Sequence, residues 1–251
     1  MPQTDAFALD HLAFGVPDAA APGAFLAERL GARPHSSGPG GGPFLWWQWE
    51  LGGGARIELI EPAGPPGGFL HRFLDSRGPG PHHLTFKVPS VREAMERAQT
   101  LGYQPVGFNE LDPSWIEVFL HPKEAQGIVV QLAEEHPEAW GDEAADFERP
   151  PFPAAPAEAT AVAARPLGVV LSARDEKRAR RQWGELLGGR EAATDRGLRF
   201  SWPESPLRVD VVIDLGATEG PTAFELSAAS DLALPEGRHP LLGLPLVQVE
   251  G

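Results

Sequence analysis

Leu9-Asp10-His11-Leu12-Ala13-Phe14-Gly15-Val16-Pro17 returns further along the chain as Pro81-His82-His83-Leu84-Thr85-Phe86-Lys87-Val88-Pro89. His11 and His83 are 72 residues apart, and so are Leu12 and Leu84, Phe14 and Phe86, and Val16 and Val88. A second echo sets Arg56-Ile57-Glu58-Leu59 against Val129-Val130-Gln131-Leu132, with Glu58 and Gln131 73 apart. A repeat that keeps polar residues at matched strand positions implies two copies of one supersecondary unit, with one site on the axis that relates them.

Side chains alternate between the faces of a strand. In the first strand Leu12, Phe14 and Val16 share a face suited to packing under a helix, while His11, Ala13 and Gly15 share the other. The second copy puts His83, Thr85 and Lys87 on the open face. Glu58 stands opposite in parity to Ile57 and Leu59, and Gln131 to Val130 and Leu132. If the copies pair, His11, Glu58, His83 and Gln131 converge in a cup. Two imidazoles, a carboxylate and an amide with room for solvent suit a catalytic divalent ion, with Co, Ni, Zn, Mn and Fe all compatible. Trp46 and Gln48 share one face of Trp46-Trp47-Gln48-Trp49. With Thr85, Trp115 and Phe119 they are candidate substrate-binding walls of that cup. Trp47 and Trp49 read as core.

The composition narrows the partners. The chain has 251 residues and a net charge of -14, which argues against nucleic acid or an anionic membrane. With no cysteine there is no disulfide framework and no thiolate metal site. No apolar run approaches the ~18 residues of a membrane span. Met1-Pro2-Gln3-Thr4-Asp5 lacks the basic start of a signal peptide, so a cytoplasmic location is expected. The expected partner is a small-molecule substrate, and a homodimer is left open.

The pattern predicts an α+β fold of paired βαβββ modules forming a cupped mixed sheet, plus a degenerate third module. In the first copy a strand over 9–16 leads to a helix capped by Asp18 and closed by Gly31. A hairpin of 44–51 and 55–61 follows, turning at Gly52-Gly53-Gly54. The second copy repeats this with a strand over 83–88, Ser90 as cap, Gly102 as stop, and strands at 115–120 and 127–133. A third begins at Leu167, with Asp175 as cap, Gly188 as stop, and a hairpin of 197–202 and 206–213. There Asp210 takes the place of Glu58, but Gly168 stands where His11 would be. The expected division is 7–135 as the two-module domain with the cup, 136–164 as a Pro/Ala-rich linker, and 165–251 as a degenerate, incomplete domain.

These residues resemble the vicinal oxygen chelate superfamily, which includes glyoxalases, bleomycin resistance proteins and dioxygenases. The stretches Arg56-Ile57-Glu58-Leu59-Ile60-Glu61-Pro62, Phe69-Leu70-His71-Arg72-Phe73-Leu74 and Gly80-Pro81-His82-His83-Leu84-Thr85-Phe86, with Phe119-Leu120-His121-Pro122-Lys123, look like its methylmalonyl-CoA epimerase branch. The resemblance implies a glyoxalase-like fold and metal ligation by His11, Glu58, His83 and Gln131. It also implies proton abstraction next to a metal-chelated carbonyl of a small or acyl-thioester substrate, an isomerase or lyase reaction. This chain departs from the branch at two carboxylate positions, now Gln131 and Trp46. Their repeat partners, Glu58 and Glu117, do carry carboxylates and are the candidate catalytic residues. A non-catalytic ligand- or drug-binding protein is the alternative, and an extradiol dioxygenase a more distant one.

Overall fold

The computed structural model describes residues 6–40, 42–139, 151–152 and 164–250. Most of the 136–164 stretch expected as a linker lies outside them. In chain order the elements are β1 (Ala8–Gly15), α1 (Ala20–Leu30), β2 (Arg33–Pro39), β3 (Phe44–Glu50), β4 (Arg56–Pro62) and α2 (Phe69–Arg77). The second copy supplies β5 (Gly80–Lys87), α3 (Val91–Thr100), β6 (Val106–Asn109), β7 (Trp115–Leu120) and β8 (Val129–Glu135). The third supplies β9 (Arg165–Ala173), α4 (Glu176–Ala179), β10 (Arg190–Thr194), β11 (Gly197–Ser201) and β12 (Arg208–Ile213). After α4 the turns widen to a π-helix over Arg180–Leu186. The tail adds β13 (Gly220–Ser227) and β14 (Leu246–Gln248). This is a mixed α+β fold of βαβββ modules.

The chain divides into two compact units, each assembled from three segments. One comprises Met1–Asp10, His83–Ala144 and Gly168–Thr222; the other comprises His11–His82, Ala145–Leu167 and Ala223–Gly251. The unit holding the first copy orders its strands β2-β3-β4-β1, with β2, β3 and β4 antiparallel and β4 parallel to β1. The other unit holds two runs of the same plan. β5-β8-β7-β6 pairs β5 parallel to β8, and β10-β11-β12-β9 pairs β12 parallel to β9. Parallel neighbours need a long crossover, and in every copy a helix and a hairpin supply it.

The helix starts show how local sequence sets these crossovers. Ser90 Oγ accepts from Glu93 N at 3.3 Å, and Asp175 Oδ1 accepts from Lys177 N and Arg178 N at 2.8 and 3.1 Å. Both are the expected N-caps. In the first copy the cap falls one residue later than the Asp18 expected from the sequence. The N-cap is Ala19, with no side-chain bond of its own. Asp18 Oδ1 accepts from Ala20 N at 2.7 Å, and Glu61 Oε2 accepts from Ala19 N at 2.7 Å. Glu134, 73 residues after Glu61, does the same for Val91 N at 2.9 Å. In the first two copies the end of the module's last strand therefore holds the start of that module's helix.

Besides the tail strands, four elements lie outside the expected set: β2, β6, β10 and α2. The first three end their strand runs, and their sequences lack alternation. Arg190–Thr194 is exposed at four of five positions, because an edge strand need bury no face.

Gly168 explains why the third copy has no imidazole. In register it faces Arg208, as His11 faces Arg56. Its φ is 150°, and a Cβ there would sit 2.0 Å from the Arg208 carbonyl oxygen. Only glycine fits this backbone. Gly168→Ala is expected to lower the unfolding free energy by more than about 1 kcal/mol, measured by urea denaturation against the parent chain.

Candidate functional site

His11 and Glu58 belong to the same unit and are both buried. β1 pairs with β4 so that Ala13 is opposite Glu58, which keeps His11 and Glu58 on one face, with His11 Nε2 3.5 Å from Glu58 Oε2. Gln48 on β3 is the direct register partner of Glu58. Its Nε2 donates to Glu58 Oε2 at 3.1 Å and lies 3.5 Å from His11 Nδ1. Gln48, expected from the sequence on a substrate wall, is buried, bonded to Glu58 and close to His11. The signal was in the chain: β3 and β4 form a tight hairpin, so Gln48 had to lie across from Glu58.

The other unit carries the second pair. Thr85 is the register partner of Gln131, and Thr85 Oγ1 donates to Gln131 Oε1 at 2.5 Å. Gln131 Nε2 donates to Glu117 Oε2 at 2.6 Å. Glu117 also accepts from Trp115 Nε1 at 3.2 Å and Asn109 Nδ2 at 3.4 Å. His83 is buried two residues before Thr85 on β5. Thr85, Trp115, Glu117 and Gln131 thus form one hydrogen-bonded cluster, to which Asn109 is a member the sequence did not reveal. Phe119 stands directly across from Gln131, the position Gln48 holds beside Glu58. An amide oxygen has two lone pairs, so Gln131 Oε1 keeps one acceptor site beyond Thr85.

Around these clusters the tryptophans divide as expected. Trp47 is buried with Nε1 donating to Pro151 O at 3.2 Å, and Trp49 is buried edge-on to Phe152. Trp46 is half-buried, its Nε1 donating to Pro39 O at 3.2 Å. Lys87 is ion-paired with Glu135 and with Asp10. His82 lies against Phe69 and Phe73, with ring centroids 5.5 and 5.0 Å away. Desolvation lowers its pKa to about 4, so that ring is neutral at pH 7.

The third copy fills the same scaffold differently. Asp210 is buried, and Arg199, its register partner, holds it bidentately at 2.6 and 2.7 Å. Arg208 Nε adds a bond at 3.2 Å. A fixed guanidinium stands where Gln48 stands in the first copy.

The family model for the Glyoxalase/Bleomycin resistance protein/Dioxygenase superfamily matches residues 10–116. An ethylmalonyl-CoA/methylmalonyl-CoA epimerase from Cereibacter sphaeroides is 29% identical over 133 residues, covering 49% of this chain and 95% of that protein. The mitochondrial methylmalonyl-CoA epimerase of Homo sapiens is 27% identical over 132 residues, covering 49% of this chain and 72% of that protein. A variant of 4-hydroxymandelate synthase from Streptomyces coelicolor shares the fold over 91% of this chain and 73% of its own, with a TM-score of 0.56 at 12% identity.

Arg199→Met leaves a buried carboxylate short of its bidentate partner. The expected cost is about 2 kcal/mol of unfolding free energy, the scale of lost hydrogen bonds to a charged group. Urea denaturation against the parent chain measures it.

Proposed function

We propose, on the premise that residues 10–116 are a domain of the glyoxalase/bleomycin resistance/dioxygenase superfamily, that this protein is a metal-dependent enzyme. Its reaction would be proton abstraction next to the carbonyl of an acyl thioester or related small substrate. His11, Glu58, His83 and Gln131 would hold one divalent ion. The observation that carries this reading is the buried His11–Glu58 pair, aligned on one strand face by the β1–β4 register and braced by Gln48. His11, Glu58 and His83 are each buried, as residues of a metal site shielded from bulk solvent would be. The donor chemistry fits: imidazole, carboxylate and amide oxygen suit a borderline divalent ion. The two epimerase relatives support the reaction class.

In this reading the roles follow from the chain's own groups. Gln48 fixes the Glu58 carboxylate and the His11 ring, as outer-shell partners of metal ligands commonly do. Thr85 and Glu117 hold the Gln131 amide from both ends, which fixes which of its atoms is presented. Glu117 is the proton-moving carboxylate, aimed by Gln131, Trp115 and Asn109, and Glu58 is the second carboxylate of the site. When bound, the ion supplies Lewis-acid stabilisation of the negative charge left on the substrate oxygen. Residues 7–135 carry this chemistry, and residues 165–251 are a degenerate relative that lends no ligand.

Two measurements test this. Metal analysis after incubation with Co²⁺, Zn²⁺ or Mn²⁺ should find about one ion per chain, and Glu58→Gln should weaken binding by more than about tenfold. No uptake by the parent chain would favour a ligand-binding protein without chemistry. The second measurement is exchange of the α-proton of methylmalonyl-CoA for solvent deuterium, followed by NMR. Glu117→Gln should slow it by about 100-fold or more, the usual contribution of a positioned acid–base group. Unchanged exchange removes Glu117 from the mechanism.

A further inference from the structure

Beside the His11–Glu58 pair, the same unit builds an aromatic wall that the proposed chemistry does not use. Phe44, Trp46 and Gln48 alternate along β3 and so share a face, in register with Pro62, Ile60 and Glu58 on β4. Trp46 is therefore two residues from a side chain bonded to Glu58. The indole lies over β2: a Cβ at Gly38 would meet its Cζ2 at 2.9 Å and Cε2 at 3.1 Å. Glycine at position 38 is what leaves room for the ring there, and the side chain stays half-buried. Phe44 meets Phe69 of α2 edge-to-face, with centroids 5.4 Å apart. Phe73 of α2 lies over Gly15, on the face of β1 that also carries His11: a Cβ at Gly15 would be 2.8 Å from its ring. Phe44, Trp46 and Phe73 are half-buried, and Phe69 is 39% exposed.

Large rings left partly in water side by side are unusual on a surface that serves only the fold, and mark a place where a ligand completes the burial. The geometry points to a subsite for a planar aryl group carried on the acyl part of the substrate, with Trp46 and Phe69 setting the preference. This deepens the proposed function and rests on its site. Three observations select an aryl group over a methyl branch. The wall is flat at Trp46, because the indole is laid on backbone. Its Phe44–Phe69 corner is edge-to-face, the arrangement that an added ring extends favourably. And it offers several partly exposed rings, more than one methyl can cover. The wall also takes the place where the resemblance to the epimerases expects a carboxylate, so the substrate's group there meets apolar carbon rather than an acid.

The test is calorimetric titration of the full chain with phenylacetyl-CoA and with acetyl-CoA, in the presence of Mn²⁺ and again after chelation. The parent chain is expected to bind the aryl thioester about tenfold more tightly, the scale of one ring-on-ring contact with its buried area. Trp46→Leu should bring the two within about twofold, and Phe69→Leu should reduce the preference in part. Phe69 is surface-exposed, so its variant keeps the question open to measurement if Trp46→Leu does not fold. Equal affinities in the parent chain, no binding of either thioester, or a preference that survives both substitutions would overturn the subsite. The aryl preference is read with and without metal. Failure to take up metal therefore counts against the proposed reaction alone, and loss of the preference in a metal-loaded chain against the subsite alone.

Discussion

The parallel pairing of the first and last strands of each βαβββ module is the constraint on which the rest depends. It places Ala13 opposite Glu58, Thr85 opposite Gln131, and Val170 opposite Asp210. Because the strand period is two, a slip of one residue would turn each of these polar groups into the core and expose Ile57 or Val130 in its place. Burial of those apolar neighbours therefore holds the polar face in position. The antiparallel hairpin then adds a third group directly across: Gln48, Phe119 or Arg199.

One scaffold thus carries three solutions to the same electrostatic problem, how to keep a polar group on a buried strand face. The first copy uses an amide and an imidazole around Glu58, neither of them a permanent cation. The second replaces the acid with Gln131 and clamps its amide between a hydroxyl and Glu117. The third gives Asp210 a guanidinium that cannot lose its proton. A carboxylate already matched by a permanent cation has little to gain from a metal, and Gly168 removes the imidazole that would accompany it. The third copy reads as stabilised in itself, while the first keeps groups whose chemistry suits an exchangeable ion.

Much of this was legible from residues alone. The repeat offsets, the three Gly stops and the Ser90 and Asp175 caps are local signals, and each is realised in the structure. So is the division of the tryptophans, because alternation assigns Trp47 and Trp49 to one face. What escaped has a common physical cause. β2, β6 and β10 are edge strands with little to bury, so their sequences carry no alternation. The cap moves from Asp18 to Ala19, whose N–H is bonded by Glu61, 42 residues after Ala19, a long-range partner that no local pattern encodes. The bond from Gln48 to Glu58 was legible only through the register of the β3–β4 hairpin, which sets the two residues opposite each other.

The exchange of residues between copies bears on how such a site can change. Glu117 is the repeat partner of Trp46, as Glu58 is of Gln131, so in each copy one module position holds an acid and its counterpart does not. Within its own unit Glu117 is held by three N–H donors, an arrangement that fixes direction more firmly than a carboxylate facing solvent. In the reaction proposed above, the acid–base group is Glu117, and β3 of the first copy needs no acid at Trp46. A bulky ring there removes a charge from the face that carries Glu58, lowering the repulsion a second carboxylate would impose, and adds apolar area to the wall. The exchange that leaves the acid at Glu117 therefore also changes the surface of β3 beside Glu58 from charged to apolar.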